Sequence, residues 1–448
     1  MAPLVSPDPT YGWPEHSGVG GLNEAALQGT PQYRSAAIAI DAVRRWVRGL
    51  PDGRSGAFPY RPVLDHYQSA GRLFVDPGLA ADLRYVHTLL ERSSFPQAEP
   101  AWLFAAWLPS TFDQDDGDYE SFLGRGLLDD LHRVTATRAG VLDEDAVDAS
   151  LGILIAALIA DIALAEADAL PAAADSRRQR RRTHAAVHAL LHCCELAPAA
   201  DGARAELDRI RPTLTDGPET PGLAKIARAA AEAVQVLVAE PVERVIEVTM
   251  LPITRLHDEY MFLRCVQIFE SLYVQVVRRL DRAVAALRRG DLARACDQMA
   301  DATARLQATP ALYRVLTTMP REVFAVIRGL TDGRSANQSH PYRQVELMTA
   351  PRPPAAGHPR ARPVVVDGLT LQEVFVVQSD RLGEVETRPV GTAMARLDAA
   401  WCAMKRTHWG ITLKIIGDVP GTGGTSGASY LKTAADMPLF PLLAGRER

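Results

Sequence analysis

Lysine is almost missing from this chain: four residues, at 225, 405, 414 and 432, stand among 49 basic ones. Arginine therefore carries the positive charge, and a formal net charge of −5 gives no global electrostatic case for nucleic acid. Cysteine is scarce too. Five thiols in 448 residues, at 193, 194, 265, 296 and 402, are too few and scattered for a secreted disulfide framework. Cys193 and Cys194 follow His192, a trio that would resemble a metal site only if further ligands joined it. The first residues lack a basic segment followed by an apolar run, so no signal peptide is expected. The longest apolar run, LGILIAALIA at 151–160, is too short to cross a bilayer; with Asp161, Glu166 and Asp168 it reads as a buried or amphipathic helix. These absences together predict a reduced, cytoplasmic protein without nucleic-acid or membrane partners.

Strand signal is weak as well. VVVDGLTL (364–371) and EVFVVQ (373–378) are candidate short strands, the second also compatible with helix. With no strand–helix alternation, the fold class expected is mostly α, a multi-helix bundle. Helices are read at 36–50, 79–93, 120–138, 142–170, 181–197, 202–212 and 221–239. A boundary near 240 separates an N-terminal, mostly helical region (1–240) from a C-terminal helical domain (241–448). The latter holds a long helix at 256–289 and others at 291–306 and 309–330. Phe262, Val266, Phe269 and Tyr273 recur on one face of the long helix, which the spacing predicts to be buried. SRRQRRR (176–182) follows Asp175 and has no interleaved aromatics, so it reads as a solvated helix start rather than a phosphate patch.

Two features near the C-terminus carry chemistry. GTGGTSG (421–427) lacks the lysine and spacing of a P-loop and the setting of a dinucleotide fingerprint. Its glycines free the backbone for positive φ and offer successive N–H groups with the hydroxyls of Thr422, Thr425 and Ser426. The same composition also fits a plain surface loop. His408 shares a helical face with Ile411, Thr412 and Ile415, a setting that suits a core histidine or an iron ligand equally.

Three ordered motifs then resemble one family. HDEYMFLRCVQIFESLY (257–273) is similar to the active-site helix of tryptophan 2,3-dioxygenase, SANQSHPYRQVE (335–346) to its Phe-Gln-Ser-x-x-Phe-Arg-x-x-Glu stretch, and GTGGTSGASYLK (421–432) to its Gly-Thr-Gly-Gly-Ser-Ser-Gly-x-x-Tyr-Leu signature. The step of fourteen residues from His408 to Thr422 also resembles the family's. The resemblance spans roughly 250–435 and extends to the superfamily of haem indole dioxygenases, which includes indoleamine dioxygenase and the pyrrolnitrin-pathway enzyme that rearranges chlorotryptophan. It implies haem b, with His408 as the iron's proximal ligand and Arg343 clamping a substrate carboxylate, a task suited to a planar guanidinium. It further implies that Phe262 lines the distal pocket, that Thr422 hydrogen-bonds the substrate, and that Gly423 and Gly424 let the loop close. The partners implied are an aromatic or indole amino acid and O2, and relatives of this type form dimers or tetramers.

The departures are specific. Val266 stands where the family has its distal histidine, so no side chain there can hydrogen-bond an indole nitrogen. Asn337 and Tyr342 replace phenylalanines, and Ser271-Leu272-Tyr273 replaces Leu-Trp-Phe. The expected function is a haem-dependent oxygenase of tryptophan or a related aromatic amino acid, in specialised metabolism. Alternatives are an aromatic monooxygenase, a peroxide-driven hydroxylase, and a non-catalytic haem sensor or structural helical protein.

Overall fold

The computed structural model describes residues 31–50, 56–92, 101–112, 119–138, 141–197, 201–214, 216–330, 338–351, 364–417 and 427–444. Thr422, Gly423, Gly424 and Asn337 lie outside them. Helices dominate, and the only pairing of strands among the described residues is a two-residue antiparallel ladder, Thr137–Arg138 (β1) with Val141–Leu142 (β2). The helices before it are α1 (Pro31–Gly49), α2 (Tyr60–Ala70), α3 (Pro77–Arg92), α4 (Ala101–Ser110), α5 (Tyr119–Leu123) and α6 (Arg125–Ala136). The break between the last two is Gly124, at φ 62°, within the stretch 120–138 read as one helix.

Next come α7 (Glu144–Ala169), α8 (Ser176–Cys194), α9 (Asp201–Ile210), α10 (Leu223–Gln235) and α11 (Glu240–Val248). Helix α7 is apolar all round because it is covered on several sides, by α6, α8, α10 and α12 (His257–Arg288). By length and composition residues 144–172 meet the test for a membrane-crossing helix, yet Leu154, Leu158 and Ile159 are fully buried inside the bundle. Each such side chain contributes about 2 kcal/mol through the water it leaves behind. The three acids in the second half of this helix are ion-paired: Asp161 with Arg264, Glu166 with Arg182, Asp168 with Arg228. The start of α8 is only partly the solvated turn its arginines suggested. Asp175 caps it by accepting from the Arg178 N–H, but Gln179 and Arg182 turn inward.

Helix α12 is the central element, packing most extensively on α13 (Leu292–Leu316), then on α7 and α15 (His340–Thr349). Between these lies α14 (Arg321–Leu330). The sequence suggests a break near 307; instead α13 runs through Pro310 and ends at Leu316. Proline removes the N–H that would reach the Leu306 carbonyl, and the Thr309 hydroxyl donates to that carbonyl at 2.7 Å in its place.

The candidate strand at 373–378 is helix as well, within α16 (Leu371–Leu382), and 364–370 forms no strand. Thr370 and Glu373 form a capping box, each side chain bonded to the other's backbone N–H. Leu371, Val374, Phe375 and Gln378 are buried while Val376 and Val377 are exposed, a helical period that overrides β-branched propensity. Helices α17 (Glu384–Ile415), α18 (Ala428–Ala435) and α19 (Pro441–Ala444) complete the described chain, with α17 lying against α13, α16 and α18.

Candidate functional site

Helix α17 turns Trp401, Met404, Thr412 and Ile415 inward, and His408 falls on the same face. Its imidazole stacks on Tyr313 of α13, with ring centroids 5.9 Å apart and planes within 15°. Among the described residues neither ring nitrogen has a hydrogen-bond partner. Desolvation lowers its pKa to about 4, so the ring is neutral at pH 7 with a free lone pair. The ring nonetheless keeps some accessible surface.

Opposite stands an aromatic wall built from α12, α13 and α15. Phe269 packs on Tyr313 at 4.7 Å, and the hydroxyls of Tyr273 and Tyr313 both donate to the Met404 sulfur, at 3.4 and 3.7 Å. Tyr342 lies 4.7 Å from Trp401 and 5.5 Å from Tyr273, so the residue beside Arg343 is seated directly on α17. Burial pushes the Tyr273 and Tyr313 phenols well above their ordinary range, which keeps both protonated as donors.

Along α12 from His257 to Tyr273, Phe262 and Val266 alone keep accessible surface; every other side chain is buried. Of the face predicted to be buried, Phe269 and Tyr273 are buried, whereas Phe262 and Val266 are partly open. Val266 and Phe262 lie about 4 and 10 Å along the axis from Phe269, at 1.5 Å per residue. Phe262 meets Phe324 of α14 edge-on at 5.6 Å.

Arg343 is half-buried on α15, and its guanidinium has no ion-pair or hydrogen-bond partner among the described residues. The phenol of Tyr430 on α18 is pushed up by burial and by Glu346, with Arg343 pulling the other way. The helix that follows the glycine run therefore comes close to Arg343. Gly427, the last residue of that run, has φ 72° and precedes the first turn of α18.

Polar residues missed in the sequence hold this arrangement. Ser339 caps α15 by accepting from the Tyr342 N–H and also hydrogen-bonds Glu270 of α12. Glu270 accepts from the Tyr119 hydroxyl at 3.0 Å, and Arg125 lies 3.4 Å away. A serine just ahead of His340-Pro341 was a readable helix-start signal, whereas its link to Glu270 was not. Burial raises the Glu270 carboxyl from 4.5 to about 7, against the lowering effects of Arg125, Ser339 and Tyr119.

Folded Glu270 thus holds a proton that the unfolded chain releases near pH 4.5, so its contribution favours folding at low pH. That contribution declines as pH rises through this window and is gone above about 7, by about 3 kcal/mol in all. Glu270→Gln is expected to flatten the fall in thermal midpoint between pH 5 and pH 8. An equal fall in wild type and variant would assign it to other groups.

A second buried cluster anchors the start of α12. Arg182, 2% exposed, pairs with Asp258 and with Glu166, which is 0% exposed. His257 Nε2 lies 3.1 Å from Glu166, close enough for ion pairing but off the hydrogen-bond direction. Burial pushes Glu166 up, but Arg182 and His257 outweigh it and hold the carboxyl below its ordinary range. The cysteine pair reads differently: burial raises Cys193 and Cys194 to about 12, leaving inert thiols. Among the described residues no group of three or more His, Cys, Asp or Glu is placed to hold a metal ion.

No protein-family model matches this chain. It is similar to the tryptophan 2,3-dioxygenase of Anaeromyxobacter sp. (strain K), 28% identical over 224 residues, covering 41% of this chain and 84% of that protein. The enzyme of the same name from Bradyrhizobium sp. (strain ORS 278) is 25% identical over 236 residues, covering 43% and 84%. That of Burkholderia pseudomallei (strain 668) is 27% identical over 231 residues, covering 42% and 75%. These similarities support kinship with tryptophan 2,3-dioxygenases in the broad, superfamily sense.

Proposed function

We propose that this protein is a haem-dependent oxygenase of tryptophan or a related aromatic amino acid, in which His408 would hold the haem iron. The observation that carries the reading is the His408 ring on the inward side of α17, stacked on Tyr313 and free of hydrogen bonds to described residues. An iron already held by four porphyrin nitrogens asks the protein for one imidazole rather than a cluster, and His408 fits that need. Haem, when bound, supplies dioxygen binding and the redox chemistry of oxygen insertion.

The chain's own residues bind, orient and exclude water. Arg343, with no carboxylate partner among the described residues, would bind a substrate carboxylate through two parallel N–H···O bonds. Ser339 and Glu270 hold the first turn of α15 so that the guanidinium keeps its position. Phe262 would pack on the substrate ring. Thr422 would hydrogen-bond the amino acid head, with Gly423 and Gly424 letting the loop close and expel water. Val266 gives an indole N–H no acceptor at that position, which favours a second reading within the same chemistry: monooxygenation of a ring that needs no imidazole there.

Arg343→Ala tests the substrate side. Binding of the preferred aromatic amino acid, followed by the shift it causes in the haem absorption band, is expected to weaken by about 2 to 5 kcal/mol. Unchanged affinity would remove the clamp, and with it the amino-acid part of the proposal.

A further inference from the structure

A ligating histidine is ordinarily oriented by the hydrogen bond its second ring nitrogen donates. His408 has no such acceptor among the described residues; what touches its face is the ring of Tyr313, nearly parallel and 5.9 Å away. Tyr313 is itself fixed. Its ring is packed by Phe269 at 4.7 Å, and its hydroxyl donates to the sulfur of Met404, one turn before His408 on α17. The Tyr273 hydroxyl reaches the same sulfur at 3.4 Å, so Met404 is held from two sides.

We propose that Tyr313 is the positioning residue for His408, setting the plane of the imidazole by stacking in place of a hydrogen bond. The inference rests on the reading of His408 as the iron ligand. A stacked ring is free to slide but not to tilt, so the ligand's plane is kept while its distance adjusts. With no acceptor among the described residues pulling on the second N–H, the imidazole lacks the added basicity an outer carboxylate gives.

The test measures the rate at which haem leaves the loaded protein for an apo-globin acceptor, with the ferrous iron–histidine stretching band recorded by resonance Raman. Tyr313→Leu removes the stack and is expected to speed haem loss by about 10- to 100-fold and to shift or broaden the band. Tyr313→Phe keeps the stack and is expected to stay within about threefold of wild type in rate, with an unchanged band. If leucine is not tolerated, Tyr313→Met fills the space without a ring and takes its place. Haem loss and a band unaltered in the leucine or methionine variant overturn the proposal, as does a phenylalanine variant that behaves like leucine. His408→Ala separates the two readings: if it too keeps its haem, the ligand assignment fails, whereas haem lost from it alone sinks only the role of Tyr313.

Discussion

Replacing His408 with alanine is expected to remove the histidine-type Soret band from protein reduced under CO, leaving below about a tenth of the wild-type haem. The reason lies in what else the face offers. Trp401 and Thr412 provide no suitable donor, and the Met404 thioether already accepts from two phenols. No proton has to leave His408 first, because burial has lowered its pKa to about 4. The alanine side chain leaves space for a small ligand, so adding imidazole to the variant should restore the band. A spectrum unchanged by the substitution would end the assignment of His408, and failure of wild type to take up haem would end the proposed function.

Arg182→Met is expected to lower stability by about 3 to 5 kcal/mol, the range for a buried ion pair losing one member. Methionine matches much of the arginine's volume, so the loss reports charge rather than a cavity. Without the guanidinium, Glu166 is left at the heart of the bundle with His257 and Gln179, and Asp258 loses its partner in the first turn of α12. Chemical denaturation read by far-ultraviolet circular dichroism measures the effect. Adding Glu166→Gln to the variant should recover part of the loss, since the stranded charge is then gone. If both variants match wild type, the cluster has no part in holding α12.

Much of this architecture is written locally, and that part was readable. The apolar spacing of 256–289 gives α12, Asp175 gives the start of α8, and the run from His408 to Ile415 gives the inward face of α17. The errors came where one local signal competed with another. Val374, Val376 and Val377 favour a strand, but the capping box at Thr370 and burial of Leu371, Val374 and Phe375 decide for helix. Pro310 looks like a stop until Thr309 is seen to satisfy the carbonyl it frees.

The residues that set the site's geometry were hidden for another reason: their partners are remote. Glu270 meets Tyr119 across 151 residues, and Tyr313 meets Met404 across 91. Periodicity places such side chains on a face without saying what lies opposite. Arg343 was singled out through the motif around it, whereas its lack of an ion-pair partner among the described residues emerges only from the fold.

The uneven burial of α12 has a consequence for how this protein can change. Its polar residues are committed: Glu259 holds the backbone N–H groups of Ile253 and Thr254, Arg264 holds the Ile246 carbonyl, and Gln267 holds that of Leu123. Altering any of these would cost the fold. Phe262 and Val266 carry no such obligation, and they are the only positions in the first half of the helix with room beside them. On the proposed reading, recognition and stability fall to different residues of one element. Substitutions at Phe262 and Val266 are then expected to change which aromatic ring is accepted while the scaffold is left as it stands.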